Sequence, residues 1–259
     1  MTDDPPGDRR PRLVGTFATG ADRYERLRPD HPLEAVRFCV PMRNAEVVDV
    51  GAGTGKFTRS LVAEGHRVVA VEPSTDMRSA LTLAVPGVRV HDATAERTGL
   101  PDRSVDVATF AQSWHWTDVG AASAELQRIV RPGGYASMVW TMLDDGAPWV
   151  ERVQAAMHST ERAWQRLPGA KEVAWERPPR GAFGRAERHT VAWSGPITLA
   201  DPVALVTTRS YYVEATPDEQ QALLGRVRDR VEREFPTGRE EDQVELPYVT
   251  TCLRYQRLP

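Results

Sequence analysis

The chain has 259 residues, 41% of them hydrophobic, and its 33 basic and 36 acidic residues leave a formal net charge of −3. That balance suits one soluble catalytic domain with additions, and it offers no general attraction to nucleic acid or to an anionic membrane surface. Two cysteines, Cys39 and Cys252, exclude a disulfide framework and are expected as buried thiols, and no C-x-x-C or clustered-His spacing points to a metal.

Residues 1–12 are rich in Asp, Pro and Arg and lack an apolar run, so they read as a disordered tail and not as a signal peptide. No segment approaches the roughly 18 apolar residues of a transmembrane helix, which predicts a cytoplasmic protein with no membrane partner. The rest, 13–259, is expected to form a single domain. Within it we expect an N-terminal lid (13–32), a cofactor-binding core (33–146), a substrate-cap insertion (147–215), and a C-terminal helix with an edge strand (216–259).

In chain order, a first helix is predicted around Pro32 to Val40, then strands near Ala45 to Val50, Arg67 to Val71, Val88 to Asp92, Val105 to Phe110 and Tyr135 to Trp140, with helices between them. The helix near Asp118 to Val130 ends in Arg131-Pro132-Gly133-Gly134, a helix-stop turn. This alternation predicts an α/β fold, a Rossmann-like, mostly parallel seven-stranded sheet with right-handed crossovers and helices on both faces. Past Trp140 the rhythm lapses. A helix from Pro148 to Leu167, an exposed Arg-rich loop over Arg177 to Arg188, a short strand over Arg188 to Trp193, helices near Leu199 to Tyr211 and Pro217 to Phe235, and an antiparallel edge strand over Tyr248 to Arg257 complete the reading.

The turn Val47-Val48-Asp49-Val50-Gly51-Ala52-Gly53-Thr54-Gly55-Lys56 carries the chemistry. Glycines there leave no side chain between the peptide groups and a ligand that meets the following helix's free N–H groups. Spacing discriminates among ligands. A dinucleotide turn needs its third glycine where Lys56 stands, and a P-loop needs glycine at Val50 and a hydroxyl at Phe57. What remains, an acid closing the strand and then G-x-G-x-G, resembles motif I of the class I S-adenosylmethionine-dependent methyltransferases. Two acids at later strand ends extend the pattern: Glu72, placed for the two hydroxyls of a ribose, and Asp92, placed to accept from an adenine amino group. A lone glutamate after a strand is ordinarily a solvated loop residue; it is the series that singles these two out.

Residues from Phe17 to about Gly146 resemble the type 11 small-molecule methyltransferases, including the trans-aconitate-methyltransferase-like branch. The segment Phe17 to Pro32 is similar to that branch's lid, with Asp30-His31-Pro32 in place of Gly-Tyr-Pro, and Gln112-Ser113-Trp114-His115-Trp116 is similar to its Gln-x-x-His-Trp sequence. The resemblance implies S-adenosylmethionine as cofactor, S-adenosylhomocysteine as product, and Gly51, Gly53, Glu72, Met77, Asp92, Ala93 and Gln112 as cofactor contacts. Asp49, Thr54, Pro73 and Tyr24 complete the expected cofactor set. Met77, on its helix, is equally suited to fill core.

The methyl group leaves a sulfonium by in-line attack, so alignment in a dry pocket can supply several kcal/mol. His115 is the candidate catalytic residue: a base for a hydroxyl or carbon acid, an orienting group for a carboxylate, or a structural histidine between two tryptophans. Arg28 suits an anionic substrate or the methionine carboxylate, and Trp114 and Trp116 suit pocket walls or packing. The turn after the fourth strand lacks the Asn/Asp/Ser-Pro-Pro-aromatic sequence of nucleobase amino-methylating enzymes, which disfavours nucleic-acid methylation, and no acidic metal cluster implies magnesium. Three functions stay open at this point: methyl transfer to a small metabolite, non-methylating chemistry on the same fold, and non-catalytic cofactor binding. The oligomeric state is not legible.

Overall fold

The computed structural model describes residues 27–158, 177–213 and 215–259. After helix α1 (Leu33–Cys39) come β1 (Glu46–Val50), α2 (Lys56–Ala63), β2 (Arg67–Val71), α3 (Thr75–Ala84), β3 (Arg89–His91) and β4 (Val105–Ala111). A 3-10 turn (Trp114–Trp116), α4 (Val119–Ile129), β5 (Val130–Leu143), α5 (Pro148–His158), β6 (Phe183–Thr198), α6 (Asp201–Val206), α7 (Ser210–Val213), α8 (Pro217–Glu234) and β7 (Gln243–Arg257) follow.

The strands form one seven-stranded sheet in the order β3-β2-β1-β4-β5-β7-β6. The five strands from β3 to β5 are parallel, and β7 runs antiparallel to both its neighbours. This is the Rossmann-like α/β sheet expected. Neighbouring residues of a strand serve opposite faces: Val48, Ala108 and Met138 pack against α4 residues such as Leu126, while Val47, Val107 and Val139 pack with Val36 of α1 and Leu61 of α2. Burial on both faces explains the near-continuous apolar runs that made these strands legible.

Beyond β4 the boundaries differ from expectation, each for a local reason. The Arg131–Gly134 turn lies inside β5, as a bulge between the Val105–Val130 and Val107–Tyr135 pairs. Gly133 has φ +82°, and Gly134 lets the Asp106 carbonyl lie where a Cβ would be. The last strand is not the edge. β7 buries Cys252 and Leu253 on its two faces, and β6 takes the edge, extending from Phe183 to Thr198 where a six-residue strand and an exposed loop were expected. An edge strand tolerates the polar alternation and the Pro196 that hid it. The helix expected over Leu199 to Tyr211 divides into α6 and α7, because Thr207 and Thr208 turn their hydroxyls back onto the carbonyls of Ala204 and Leu205, both at 2.7 Å.

Strand directions locate the cap. β5 and β6 both end at the sheet edge where β1 to β4 end, so α5 and α6 to α8 emerge there. These helices share a separate apolar core of Leu27, Val153, Met157, Leu205, Val206, Leu223, Val227 and Val231. The 147–215 segment thus holds helices α5 to α7 together with strand β6, and α8 joins the same apolar core. Of the helix expected to reach Leu167, the portion after His158 lies outside the described residues, as do the tail and most of the lid. Among the described residues no helix is long and apolar enough to cross a membrane.

Candidate active site

The turn after β1 is built on three left-handed glycines, Gly51, Gly53 and Gly55, with φ +68°, +57° and +88°. They serve different ends. A Cβ on Gly51 would stand 2.5 Å from the Cβ of Ser113, so glycine lets the loop after β4 press against the turn; there the Ser113 hydroxyl donates to the Val50 carbonyl at 2.5 Å. At Gly53 a Cβ would meet nothing within 4 Å, so the side-chain direction of that α-carbon is open space. Gly55 caps α2 and packs against Leu81.

Glu72 closes the turn from the side. Its Oε2 accepts from the Gly53 N–H at 2.9 Å and its Oε1 from the Ser74 N–H at 2.8 Å, with the side chain buried at the end of β2. Burial raises its pKa, and the two backbone donors oppose the rise. Each oxygen keeps a second lone pair, the arrangement that two vicinal hydroxyls require. Pro73 is half-buried beside it, Thr54 is buried in the turn, and Met77 is buried on α3. At the end of β3, Asp92 and Ala93 line an open groove of about 500 Å³ with His91, Thr94, Arg97, Thr98 and Gly99.

Asp49, expected among the cofactor contacts, lies behind the turn. It is fully buried, with Oδ2 accepting from Thr58 Oγ1 at 2.6 Å and Oδ1 from Thr109 Oγ1 at 3.0 Å. Burial pushes its pKa up to about 6 against those hydroxyl bonds. Its role in this structure is to brace β1 against α2 and β4.

After β4, Gln112 adopts φ +58°, an uncommon conformation for a residue with a side chain, and donates from Nε2 to the Thr141 carbonyl at 2.7 Å. Trp114 is core: 1% exposed, edge-on to Phe110, its indole donating to the Arg177 carbonyl at 2.7 Å. Of the two readings open for it, pocket wall or packing, its burial in the core beside Phe110 favours packing. Trp116 is 41% exposed and lies beside His115, with ring centroids 4.9 Å apart.

His115 is held as a neutral imidazole. The Trp140 indole donates to its Nδ1 at 3.4 Å, leaving Nε2 to carry the proton, and burial lowers its pKa to about 4. A second imidazole at the same edge, His31, escaped the sequence reading. Its Nδ1 lies 3.3 Å from Thr141 Oγ1, which is 2.8 Å from Thr250 Oγ1, itself accepting from the Trp193 indole at 2.9 Å. Its ring stands edge-on to Phe57, and burial takes its pKa to about 4. The one available signal was its departure from the lid pattern.

Arg28 reaches across to the cap, its Nη2 donating to the Thr208 carbonyl at 3.4 Å. Burial raises the phenol pKa values of Tyr211 and Tyr248, that of Tyr248 to about 12, while the positive charges of Arg28 and Arg209 oppose both rises. Two guanidiniums and two phenols thus share one neighbourhood below the cap. Tyr24 lies outside the described residues.

An open glycine turn, a clamped glutamate and a groove lie at the edge of the sheet where strands β1 to β3 end, the edge at which open α/β sheets take nucleoside-type cofactors. The comparisons with known proteins agree. Residues 48–138 match the family model described as a methyltransferase domain. An uncharacterized methyltransferase of Mycobacterium tuberculosis is 35% identical over 239 residues, 92% of this chain and 94% of the relative. The structure of a candidate type II methyltransferase from Anaeromyxobacter dehalogenans superposes with a TM-score of 0.65 at 25% identity, covering 90% of this chain and 99% of that one. Phosphoethanolamine N-methyltransferase 2 of Haemonchus contortus, in complex with S-adenosylhomocysteine, shares the fold (TM-score 0.52, 14% identity, 93% of this chain and 58% of that one). The chain belongs to the methyltransferase family, and it is an S-adenosylmethionine-dependent enzyme of class I. The mycobacterial likeness runs through the cap as well as the cofactor half.

Proposed function

We propose that the protein transfers the methyl group of S-adenosylmethionine to a small-molecule acceptor bound between the lid, the cap and the ends of β4 and β5. The observation that carries this reading is the Glu72 carboxylate, fixed by Gly53 and Ser74 beside an open turn, with His115 and Arg28 approaching the same edge from opposite halves of the molecule. In this reading Glu72 holds the ribose, Asp92 and Ala93 meet the adenine, and Gln112 and the turn peptides hold the methionine end. The cofactor supplies the activated methyl; the chain supplies alignment and a dry pocket.

His115 orients the acceptor and does not deprotonate it. A buried neutral imidazole whose Nδ1 already accepts a hydrogen bond offers Nε2–H as a donor. A donor suits an acceptor that arrives already nucleophilic, such as a carboxylate. The resemblance of the lid and of the sequence after β4 to the trans-aconitate branch supports the same acceptor class.

The test is incubation of the protein, and of Glu72→Ala as control, with methyl-labelled S-adenosylmethionine and a metabolite extract, followed by mass spectrometry. We expect label in a small molecule only with the intact protein. Label found in protein or nucleic acid would overturn the acceptor class, and equal labelling by Glu72→Ala would remove Glu72 from the site.

A further inference from the structure

We infer that Arg78 is the positioning residue that makes Asp92 a specific acceptor for the cofactor's 6-amino group; this rests on the reading that Asp92 meets the adenine. Arg78 stands on the second turn of α3 and makes four hydrogen bonds. Nη1 donates to Asp92 Oδ1 and Nη2 to Asp92 Oδ2, both at 2.9 Å; Nη1 also donates to the Glu72 carbonyl at 3.0 Å, and Nη2 to Thr75 Oγ1 at 3.1 Å. One guanidinium therefore joins the ends of β2 and β3, the strands that carry the two acids of the site.

The burial is asymmetric. The Arg78 side chain is 18% exposed and that of Asp92 71%, so the cation is anchored from inside while the carboxylate is presented to the groove. Left alone, an exposed aspartate at the end of a three-residue strand would rotate freely in water. The two-pronged contact removes that freedom and consumes one lone pair per oxygen. The remaining pairs lie open to an amino donor. Because the side chain is ordered before the cofactor arrives, binding does not have to order it, which accounts for about a tenfold gain in affinity. The guanidinium's grip on the Glu72 carbonyl also fixes the separation of the adenine and ribose acceptors.

The experiment is calorimetric titration of S-adenosylhomocysteine, and of the analogue with hydrogen in place of the purine 6-amino group, into the wild type, Arg78→Met, Arg78→Lys, Asp92→Ala and the Arg78→Met/Asp92→Ala double variant. We expect Arg78→Met to bind S-adenosylhomocysteine about tenfold more weakly and the analogue nearly as the wild type does. The lysine variant should recover part of the difference, since one ammonium can hold one carboxylate oxygen. The double variant should discriminate no less than Asp92→Ala alone. Arg78→Met weakening both ligands equally would mark Arg78 as structural and overturn the inference, and so would tighter S-adenosylhomocysteine binding, because Arg78 would then compete with the adenine for Asp92. Full discrimination retained by Asp92→Ala would instead overturn the underlying placement of the adenine. If Arg78→Met does not fold, the same comparison between Arg78→Lys and the wild type decides.

Discussion

The two halves of the molecule build their parts of the site by different means. From β1 to β4, the polar groups at the ligand edge stand within a few residues of a strand end and mostly find partners in neighbouring turns and helices, Glu72 with Gly53 and Ser74 and Ser113 with Val50, while Gln112 reaches Thr141 of β5. Beyond β5 the groups meet across the chain, as Arg28 meets Thr208 from 180 residues away and Thr141 meets both His31 and Thr250. The cofactor half is a set of local turns on a shared sheet. The proposed substrate half is assembled by the cap on its own apolar core, so stability and specificity are expected to be coupled there and separable in the first half.

The largest expected effect strikes the cap alone. Leu223→Ala opens a cavity in the core shared by α5, α6 and α8 and should cost about 2–5 kcal/mol of cap stability. Turnover should fall severely while the affinity for S-adenosylhomocysteine stays within about twofold of the wild type; parallel loss of both would abolish the division between halves. A paired glycine test sharpens the cofactor side. Gly51→Ala forces a Cβ onto Ser113 at a positive φ and should cost about 3 kcal/mol or more, lowering the melting temperature and cofactor binding together. Gly53→Ala meets no neighbour, so its melting temperature should drop less while cofactor binding is still lost. Similar melting temperatures for the two variants would refute the assignment of Gly51 to packing.

At the junction of the halves stands His115, whose folded pKa near 4 lies below the ordinary 6.5. The unfolded chain takes up the proton first, so the contribution of the neutral ring is complete above about pH 6.5. It is lost as pH falls toward 4, by on the order of 2–3 kcal/mol. His115→Gln should flatten the curve of melting temperature against pH across that window, slow turnover, and leave S-adenosylhomocysteine affinity near normal. A curve unchanged from the wild type would mean that His115 titrates normally and is available as a base. The smallest effect is expected from deleting residues 1–12, which should alter neither melting temperature nor turnover; a marked change in either would give the tail a part in the lid.

The glycine turn, the acids at Glu72 and Asp92, and the first four strands were legible because each depends on residues close in sequence. Backbone freedom at Gly53 and an acid at a strand end are local properties, and strands buried on both faces announce themselves as apolar runs. The sequence left a residue open where its surroundings came from elsewhere. Both carboxylate oxygens of Asp49 are engaged by Thr58 and Thr109, and Trp114, suited to a pocket wall or to packing, is enclosed by Phe110 and Arg177. β6 was hidden because an edge strand may be polar on both faces, and β7 was misplaced because pairing order is not written in either strand.

By itself the sequence determined the class of fold and the cofactor, and it singled out the strand ends proposed to receive that cofactor, since these follow from short-range stereochemistry and periodic burial. Only the tertiary structure decided that His115 is buried with its Nδ1 facing the Trp140 indole, that Arg28 reaches the cap as well as the lid, and that Arg78 holds Asp92. Burial, tautomer and ion pairing depend on which distant groups share a volume, and only packing brings those groups together.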